Sequence, residues 1–240
     1  MTIPCTGPIR ADQIATEFKG AKPIKISEYY SGGRYVPASI TKVPKSGPIK
    51  WSDFRCVSNT SAGTQNYDTA GAFAFVVPSY TTMTVEVVGG SGGGGGSVTD
   101  QSSYVGNGGA GTNGGESKFL NMVGGAGAGG GGGTGGRNPS DARPGTAGGP
   151  GQASGGDTNV TAGGKAGGAG SVFVPSNDAR GKGGDGGKSG KATKTYTAGS
   201  DGAPVVGTTI NGFVGAGGVG GLPGSQGAPG ATGYVHITWS

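Results

Sequence analysis

The chain has 240 residues, of which 60 are glycine and 14 proline, and only 32% is hydrophobic, which argues against a large conventional core. Its formal charge of +5 is uneven: residues 1–57 hold nine Lys/Arg against four Asp/Glu, whereas residues 58–240 hold nine of each. The basic balance therefore concerns a partner of the first segment and not of the glycine-rich remainder. Such a composition is common in disordered chains. Against disorder stand a strict glycine period and strand patterns on both sides of it.

Residues 1–57 contain an internal repeat. Pro8-Ile9-Arg10-Ala11-Asp12-Gln13-Ile14, Pro23-Ile24-Lys25-Ile26-Ser27-Glu28-Tyr29 and Pro48-Ile49-Lys50-Trp51-Ser52-Asp53-Phe54 share one pattern. It predicts an extended Pro-Ile-basic piece followed by a helical turn capped by Asp12, Ser27 or Ser52. Ile14, Phe18, Tyr29, Tyr30 and Phe54 are expected to pack as a small core, marginal on its own and ordered by a partner or by oligomerisation. Together with Trp51 they are the candidate docking residues. Cys5 and Cys56 lie at the two ends of this module. They would pair if those ends meet; two buried free thiols are the form that a reducing compartment favours. No apolar signal region is present in the first twenty residues, which points to synthesis and assembly in a cytoplasm. No run has the length of a membrane span.

The strings Ile9-Arg10-Ala11-Asp12-Gln13-Ile14-Ala15-Thr16-Glu17-Phe18, Ile26-Ser27-Glu28-Tyr29-Tyr30-Ser31-Gly32-Gly33-Arg34-Tyr35-Val36-Pro37 and Ile49-Lys50-Trp51-Ser52-Asp53-Phe54-Arg55 resemble an N-terminal module of tail proteins of tailed bacteriophages. The likeness covers about a quarter of the chain. It implies an attachment module ahead of a variable, glycine-rich region.

Residues 58–71 read as a polar linker, and residues 72–240 as one glycine-rich domain. Alternation predicts strands at 72–77 and 82–88, and a third at 234–239. Between them glycine keeps a period of three. Gly212, Gly215, Gly218, Gly221, Gly224, Gly227, Gly230 and Gly233 hold one register, and shorter runs start at Gly90, Gly108, Gly124, Gly145, Gly164 and Gly181. A left-handed polyproline II-type helix has three residues per turn and no internal hydrogen bonds. Glycine along one edge lets a second backbone approach. The expected fold is a small module of short strands and helical turns, then packed polyglycine II helices over 89–233, bracketed by β-strands that pair, with little α-helix. Gly212 to Gly233 is about twice as long as the other runs. It must overhang the bundle or bend near Leu222-Pro223, and part of it is expected in the interior.

This pattern over 89–233 resembles the distal tail-fibre adhesin of T-even-like phages, in which packed polyglycine II helices carry variable loops. The resemblance implies a receptor-binding protein, not an enzyme, that contacts a bacterial outer-membrane protein or surface glycan. Other phage tail or fibre proteins are the expected partners, with an oligomeric assembly in the virion tail and no nucleic acid. The segments between runs supply the candidate receptor-binding residues: Tyr104, Phe119, Met122, Phe173, Lys194 and Tyr196. Aromatics in exposed loops are usual binding anchors; the alternative is that each cluster caps a bundle end, as apolar neighbours suggest for Phe119 and Phe173. The single histidine, His236, alternates with Tyr234 and Thr238 and reads as a solvent-facing strand residue. One histidine and scattered carboxylates support no triad and no metal centre, and no Gly-Lys-Ser/Thr ending makes a phosphate loop, so no cofactor is expected. A structural virion protein without a receptor role, or an ice-binding or collagen-like glycine-rich protein, is the alternative. The collagen-like stretch is only about seven triplets long.

Overall fold

The computed structural model describes residues 3–36, 40–57, 59, 62–101, 104–135, 141–171, 181–223 and 225–240, with backbone only at 99–101 and 104–105. It divides into two compact units, residues 1–62 with 78–81 and 240, and residues 63–77 with 82–239.

In the first unit the sequence repeat becomes a structural one. After each Pro-Ile-basic triplet the chain turns helical, as α1 over Ala11–Glu17 and as 3₁₀ turns over Ile26–Glu28 and Trp51–Phe54. The caps are not Asp12, Ser27 and Ser52. They are the extended residues Arg10, Lys25 and Lys50, with φ of −109°, −107° and −113°. In two repeats a side chain three residues on reaches back to the cap: Gln13 Oε1 accepts the Arg10 N–H at 2.8 Å, and Asp53 Oδ2 accepts the Lys50 N–H at 2.7 Å. That is one half of a capping box. The seventh residue of each repeat, Ile14, Tyr29 or Phe54, is fully buried. Phe18 meets Tyr29 and Phe54 edge-on, with ring centroids 6.4 and 6.2 Å apart, an arrangement aromatic pairs prefer.

The two ends of the module do meet, with the Ile3 N–H donating to the Val57 carbonyl. Cys5 and Cys56 are accordingly joined by a disulfide, which corrects the reading of two free thiols. Closing so long a loop restricts the unfolded chain and offsets a small core.

In the second unit the strands are, in chain order, β1 Gly63–Tyr67, β2 Gly71–Val76, β3 Thr82–Val88, β4 Thr99–Gln101, β5 Tyr104–Gly106, β6 Ser117–Phe119, β7 Met122–Gly124, β8 Ala153–Ser154, β9 Thr158–Val160, β10 Lys191–Thr197, β11 Thr209–Val214 and β12 Tyr234–Trp239. Two antiparallel sheets form, in the orders β1-β12-β3-β10-β9 and β2-β11-β6-β7-β8, and β4 and β5 make a separate hairpin. The bracketing strands pair as expected, from Val88 opposite Tyr234 to Met83 opposite Trp239. Met83, Val85, Val87, Val235 and Ile237 alternate inward and are buried, as are Phe75, Phe119 and Met122 of the second sheet. The Phe75 ring lies 6.0 Å from Phe119 and 5.9 Å from Trp239, so it links the sheets.

Two expectations need correction. The segment read as linker contains β1, an edge strand whose Gly63 lies beneath the Trp239 indole. Segments read as loops between runs, 117–124, 191–197 and 209–214, are strands of the sandwich.

The glycine runs form a lattice of backbone hydrogen bonds. Successive amides of residues 89–98 donate to three other segments in rotation. Gly90, Gly93 and Gly96 donate to Gly115, Thr112 and Gly109. Ser91, Gly94 and Ser97 donate to Ala231, Ala228 and Ser225, and Gly89, Gly92, Gly95 and Val98 donate to Gly190, Gly187, Gly184 and Gly181. In each series the acceptor number falls by three as the donor rises by three, so these neighbours run antiparallel. Carbonyls of the same segment accept from three more neighbours, all parallel: from Gly127, Gly130 and Gly133, from Gly168 and Ser171, and from Gly218 and Gly221. Residues 89–98 are thus enclosed by six segments, and all ten are buried.

The enclosing segments bond to one another around the ring, 107–115 to 127–133 to 181–190 to 165–171 to 225–233 to 215–221 and back to 107–115. Each runs antiparallel to the next. Residues 145–151 lie outside the ring, bonded to 127–133 and 181–190. The last run does bend at Leu222-Pro223: Gly227, Gly230 and Gly233 donate to Gly221, Gly218 and Gly215, so it serves as two antiparallel members. Neither half is central; both are ring members around 89–98.

The close approach explains the residue type. A Cβ on Gly93 would collide with the Val219 carbonyl, one on Gly218 with that of Thr112, and one on Gly227 with that of Gly94. Backbone carbonyls held in a lattice cannot move aside as a side chain can. Replacing Gly93, Gly218 or Gly227 with Val is expected to destabilise the second unit by about 3 kcal/mol or more, at the upper end of overpacking costs, whereas Ser200→Ala in an exposed turn stays within about 0.5 kcal/mol. Thermal midpoints of these variants, with amide exchange of the buried Gly92–Gly96 donors, make the test. Equal midpoints, or exchange at unprotected rates, would contradict the lattice.

Candidate binding surfaces

The sandwich holds one end of the lattice. β3 runs directly into residue 89, β7 into 125 and β11 into 215; β10 follows 190 and β12 follows 233 without a break, and β6 begins one residue after the 107–115 run. Because neighbouring runs alternate in direction, the opposite end carries the β4–β5 hairpin, the Thr134–Arg143 bridge and the fold-back at Leu222-Pro223, and the runs that stop at 171 and start at 181 meet it there. Tyr104 belongs to this end by its place in β5, although its side chain lies outside the described residues, as does all of Phe173. Leu222 is exposed there.

The other candidate receptor residues sit at the sandwich. Phe119 and Met122 are fully buried, and Tyr196 is only 4% exposed. Lys194, on β10, is half-buried with its Nζ 5.2 Å from the Tyr196 ring. None of these aromatics offers contact surface, because each segment belongs to a strand pair. In β6 and β7 the signal was present as Ser117-Lys118-Phe119 and Met122-Val123-Gly124, alternating about a two-residue turn with Leu120 at φ 53°.

The outer face of the first sheet is polar. Thr64, Thr238, Thr84 and Thr195 stand opposite one another across four strands, and the Thr84 and Thr195 hydroxyls are 3.1 Å apart. Beside this rank lies a charged cluster. Glu86 accepts a hydrogen bond from the Tyr234 hydroxyl and pairs with Lys191 Nζ at 2.5 Å. The Tyr234 ring stacks on His236 at 4.1 Å, Lys165 Nζ lies 5.2 Å from that ring, and His236 Nε2 is 2.8 Å from Asp68 Oδ1. His236 thus faces outward, as expected. Burial pushes the Tyr234 hydroxyl far up, and the bond to Glu86 adds to it. Burial alone would also raise the Glu86 carboxyl, but hydrogen bonds from Lys191 and Tyr234 outweigh it and hold the group below the usual carboxylate range. A neutral tyrosine locked to an ionised, paired glutamate has neither a nucleophile nor a free base to offer, so the cluster reads as a brace across β12, β3 and β10. Among the described residues no group of His, Cys, Asp or Glu is placed to hold a metal ion.

In the first unit the candidate docking residues divide. Ile14, Phe18, Tyr29 and Phe54 are core, with no more than 2% exposure, so they order the module and do not meet a partner. Tyr30 is half-buried, its hydroxyl donating to the Gly47 carbonyl at 2.6 Å. Trp51 is 48% exposed and is the one large aromatic of the set that remains available. Lys50, which precedes it in the chain, lines an open depression of about 400 Å³ together with Thr41, Lys42, Pro44, Pro48 and Asp53.

Comparison with known protein families, with curated proteins and with solved structures finds no match for this chain. Among the described residues no helix is long and apolar enough to cross a membrane.

The Glu86 brace gives a pH dependence of defined sign. With its folded value below the ordinary 4.5, Glu86 contributes stability that is present at neutral pH and is lost as pH falls below about 4.5 through the folded value. Glu86→Gln is expected to be less stable than the native chain at pH 7, and the gap is expected to narrow as pH approaches 3. Urea unfolding of both proteins across that range tests it; a gap independent of pH would show that Glu86 does not titrate with the fold.

Proposed function

We propose that this chain is a bacteriophage tail or tail-fibre tip adhesin, docking through residues 1–57 and engaging a host-cell surface through the returns at the far end of the glycine lattice. The observation that carries this reading is the segregation of the two ends. β3, β7, β10, β11 and β12 all join their runs at the sandwich, whereas the opposite end carries, among the described residues, the short β4–β5 hairpin and the Thr134–Arg143 bridge. A rigid frame with loops at one end is a common arrangement for recognition. We read the lattice itself as a polyglycine II bundle. Hydrogen bonds with a period of three, none of them within a run, support this, as does the rarity of positive φ among run glycines, with Gly181 alone in that region. Such a frame holds each return at both ends and lowers the cost of ordering it on binding.

In this reading the ligand is a bacterial outer-membrane protein or surface glycan, the other partners are tail or fibre proteins, and the site of action is the virion tail. The fold-back at Leu222-Pro223 disfavours the collagen-like alternative, since a triple helix needs parallel, uninterrupted chains.

The test combines competition and assembly. Purified full-length protein should reduce phage adsorption to host cells at least tenfold at saturation, and a variant with residues 99–106 replaced by a Gly-Ser loop should compete poorly while keeping its thermal midpoint. Phage encoding a chain without residues 1–57 should yield particles that lack it. Adsorption unchanged by saturating native protein would overturn the receptor role, and a truncated chain still found on particles would overturn the docking role.

A further inference from the structure

The carboxylates of the first unit are already committed. Asp12 pairs with Arg10 at 3.2 Å and Glu28 with Arg34 at 3.4 Å. Glu17 is buried and accepts the Asn59 N–H at 2.8 Å, and Asp53 accepts the Lys50 N–H at 2.7 Å. Six lysines, Lys19, Lys22, Lys25, Lys42, Lys45 and Lys50, are exposed and have no carboxylate partner among the described residues. Lys42 Nζ donates to the Arg55 carbonyl at 2.5 Å, which fixes its head at the depression that Lys50, the neighbour of Trp51 in the chain, also lines. A module of this size with a surplus of fixed positive charge repels itself, and nothing within it neutralises that charge.

We infer that this face binds an acidic surface of a partner protein, with the Trp51 indole seated in an apolar socket and Lys42 and Lys50 meeting carboxylates around it. The inference rests on the reading of residues 1–57 as the docking end and adds the chemistry of the partner. Exposed tryptophan is costly to leave in water and is a frequent centre of interface energy, while lysines are usual at the rim, where they steer encounter. The prolines Pro44 and Pro48 give the depression rigid walls, so little order is lost when it is filled. A nucleic-acid partner fits less well. It would be gripped by bidentate arginines and stacked aromatics, whereas this surplus is six lysines and one arginine, Arg10 and Arg34 are paired with carboxylates, Arg55 is turned to the Cys5 carbonyl, and Trp51 is the one exposed large aromatic among the described residues of the unit.

The experiment uses the full-length chain and three probes: a peptide of alternating glutamate and leucine, a DNA duplex of matched charge, and vesicles of phosphatidylglycerol. Binding is read by the indole resonance of Trp51 and by titration at 20 and 200 mM salt. The peptide should bind, shift the Trp51 resonance, and weaken about tenfold or more at the higher salt. Lys42→Glu with Lys50→Glu should abolish binding while the chain stays folded by circular dichroism, although the exposed bond of Lys42 to the Arg55 carbonyl is lost. Trp51→Ala should weaken it about tenfold while keeping the salt dependence. No binding of the peptide at 20 mM salt, tighter binding of the duplex or the vesicles, or indifference to charge reversal would overturn the inference. Incorporation into particles separates it from the docking role: if deletion of residues 1–57 prevents incorporation but charge reversal does not, docking stands and the acidic partner falls.

Discussion

The structure depends on one constraint, that a backbone almost without side chains must find partners for its own amides and carbonyls. A run such as 89–98 cannot bury apolar surface, and ordering glycine costs more conformational entropy than ordering any other residue, about 0.5–1 kcal/mol more than alanine. What offsets this is complete pairing in a dry interior, where a net hydrogen bond contributes about 1 kcal/mol and an unpaired group costs more. A period of three sends donors in three directions and acceptors in three others. Six neighbours are then the natural coordination, and the central run has all six. A run at the margin has fewer, which is why the marginal members carry Ala, Thr, Pro and Asn on their free edges.

A lattice of this kind has a weakness that a side-chain core does not. Sliding one run by a triplet replaces each glycine with another glycine, so the runs barely specify their own register. Register comes from elsewhere. The sandwich provides most of it, because a strand slipped by one residue turns its buried face outward, and β3, β7 and β11 fix the start of a run while β10 and β12 fix the end of one. A few buried or half-buried polar side chains key the rest. Ser91 Oγ accepts the Ala231 N–H at 2.7 Å, Ser117 Oγ that of Gly215 at 3.0 Å, and Ser189 Oγ that of Lys165 at 2.8 Å. At the exposed margin Asn107, Asn113 and Asp185 accept in the same way from Gly135, Gly129 and Gly170. Each replaces a backbone acceptor at one place only, so each is satisfied in one register alone.

This separation explains what could be read from the sequence. The runs were legible because glycine marks each close approach at a fixed period, and the mismatch in length of Gly212–Gly233 left an overhang or a bend near Leu222-Pro223, of which the structure has the bend but with neither half in the centre. Strands 82–88 and 234–239 were legible by alternation. The strands at 191–197 and 209–214 were not, since Lys191-Ala192-Thr193-Lys194 looks like any polar loop until Glu86 and Val88 stand opposite it. Tyr196 was read as available for the same reason: its burial is set by a strand more than a hundred residues away. The identity of the central run was also hidden. Nothing local distinguishes Gly92 from Gly217; only the closure of the ring does. In the first unit the repeat was plain, but the caps fell on Arg10 and Lys50 because Gln13 and Asp53 reach back, an effect that competes with the usual preference for Ser and Asp at that position.

The same physics divides the chain by tolerance to change. In the ring, almost any substitution at an inward glycine meets a carbonyl. In the sandwich, Phe75, Phe119 and Met122 are held by one another. The β4–β5 hairpin at the far end belongs to neither sheet of the sandwich, and the runs on either side of it, 89–98 and 107–115, are held by the lattice. Long loops are inexpensive to extend when their ends are already fixed, since closure grows only with the logarithm of length. In a fold built in this way a change of length at such a hairpin disturbs neither the sheets nor the register of the runs that flank it.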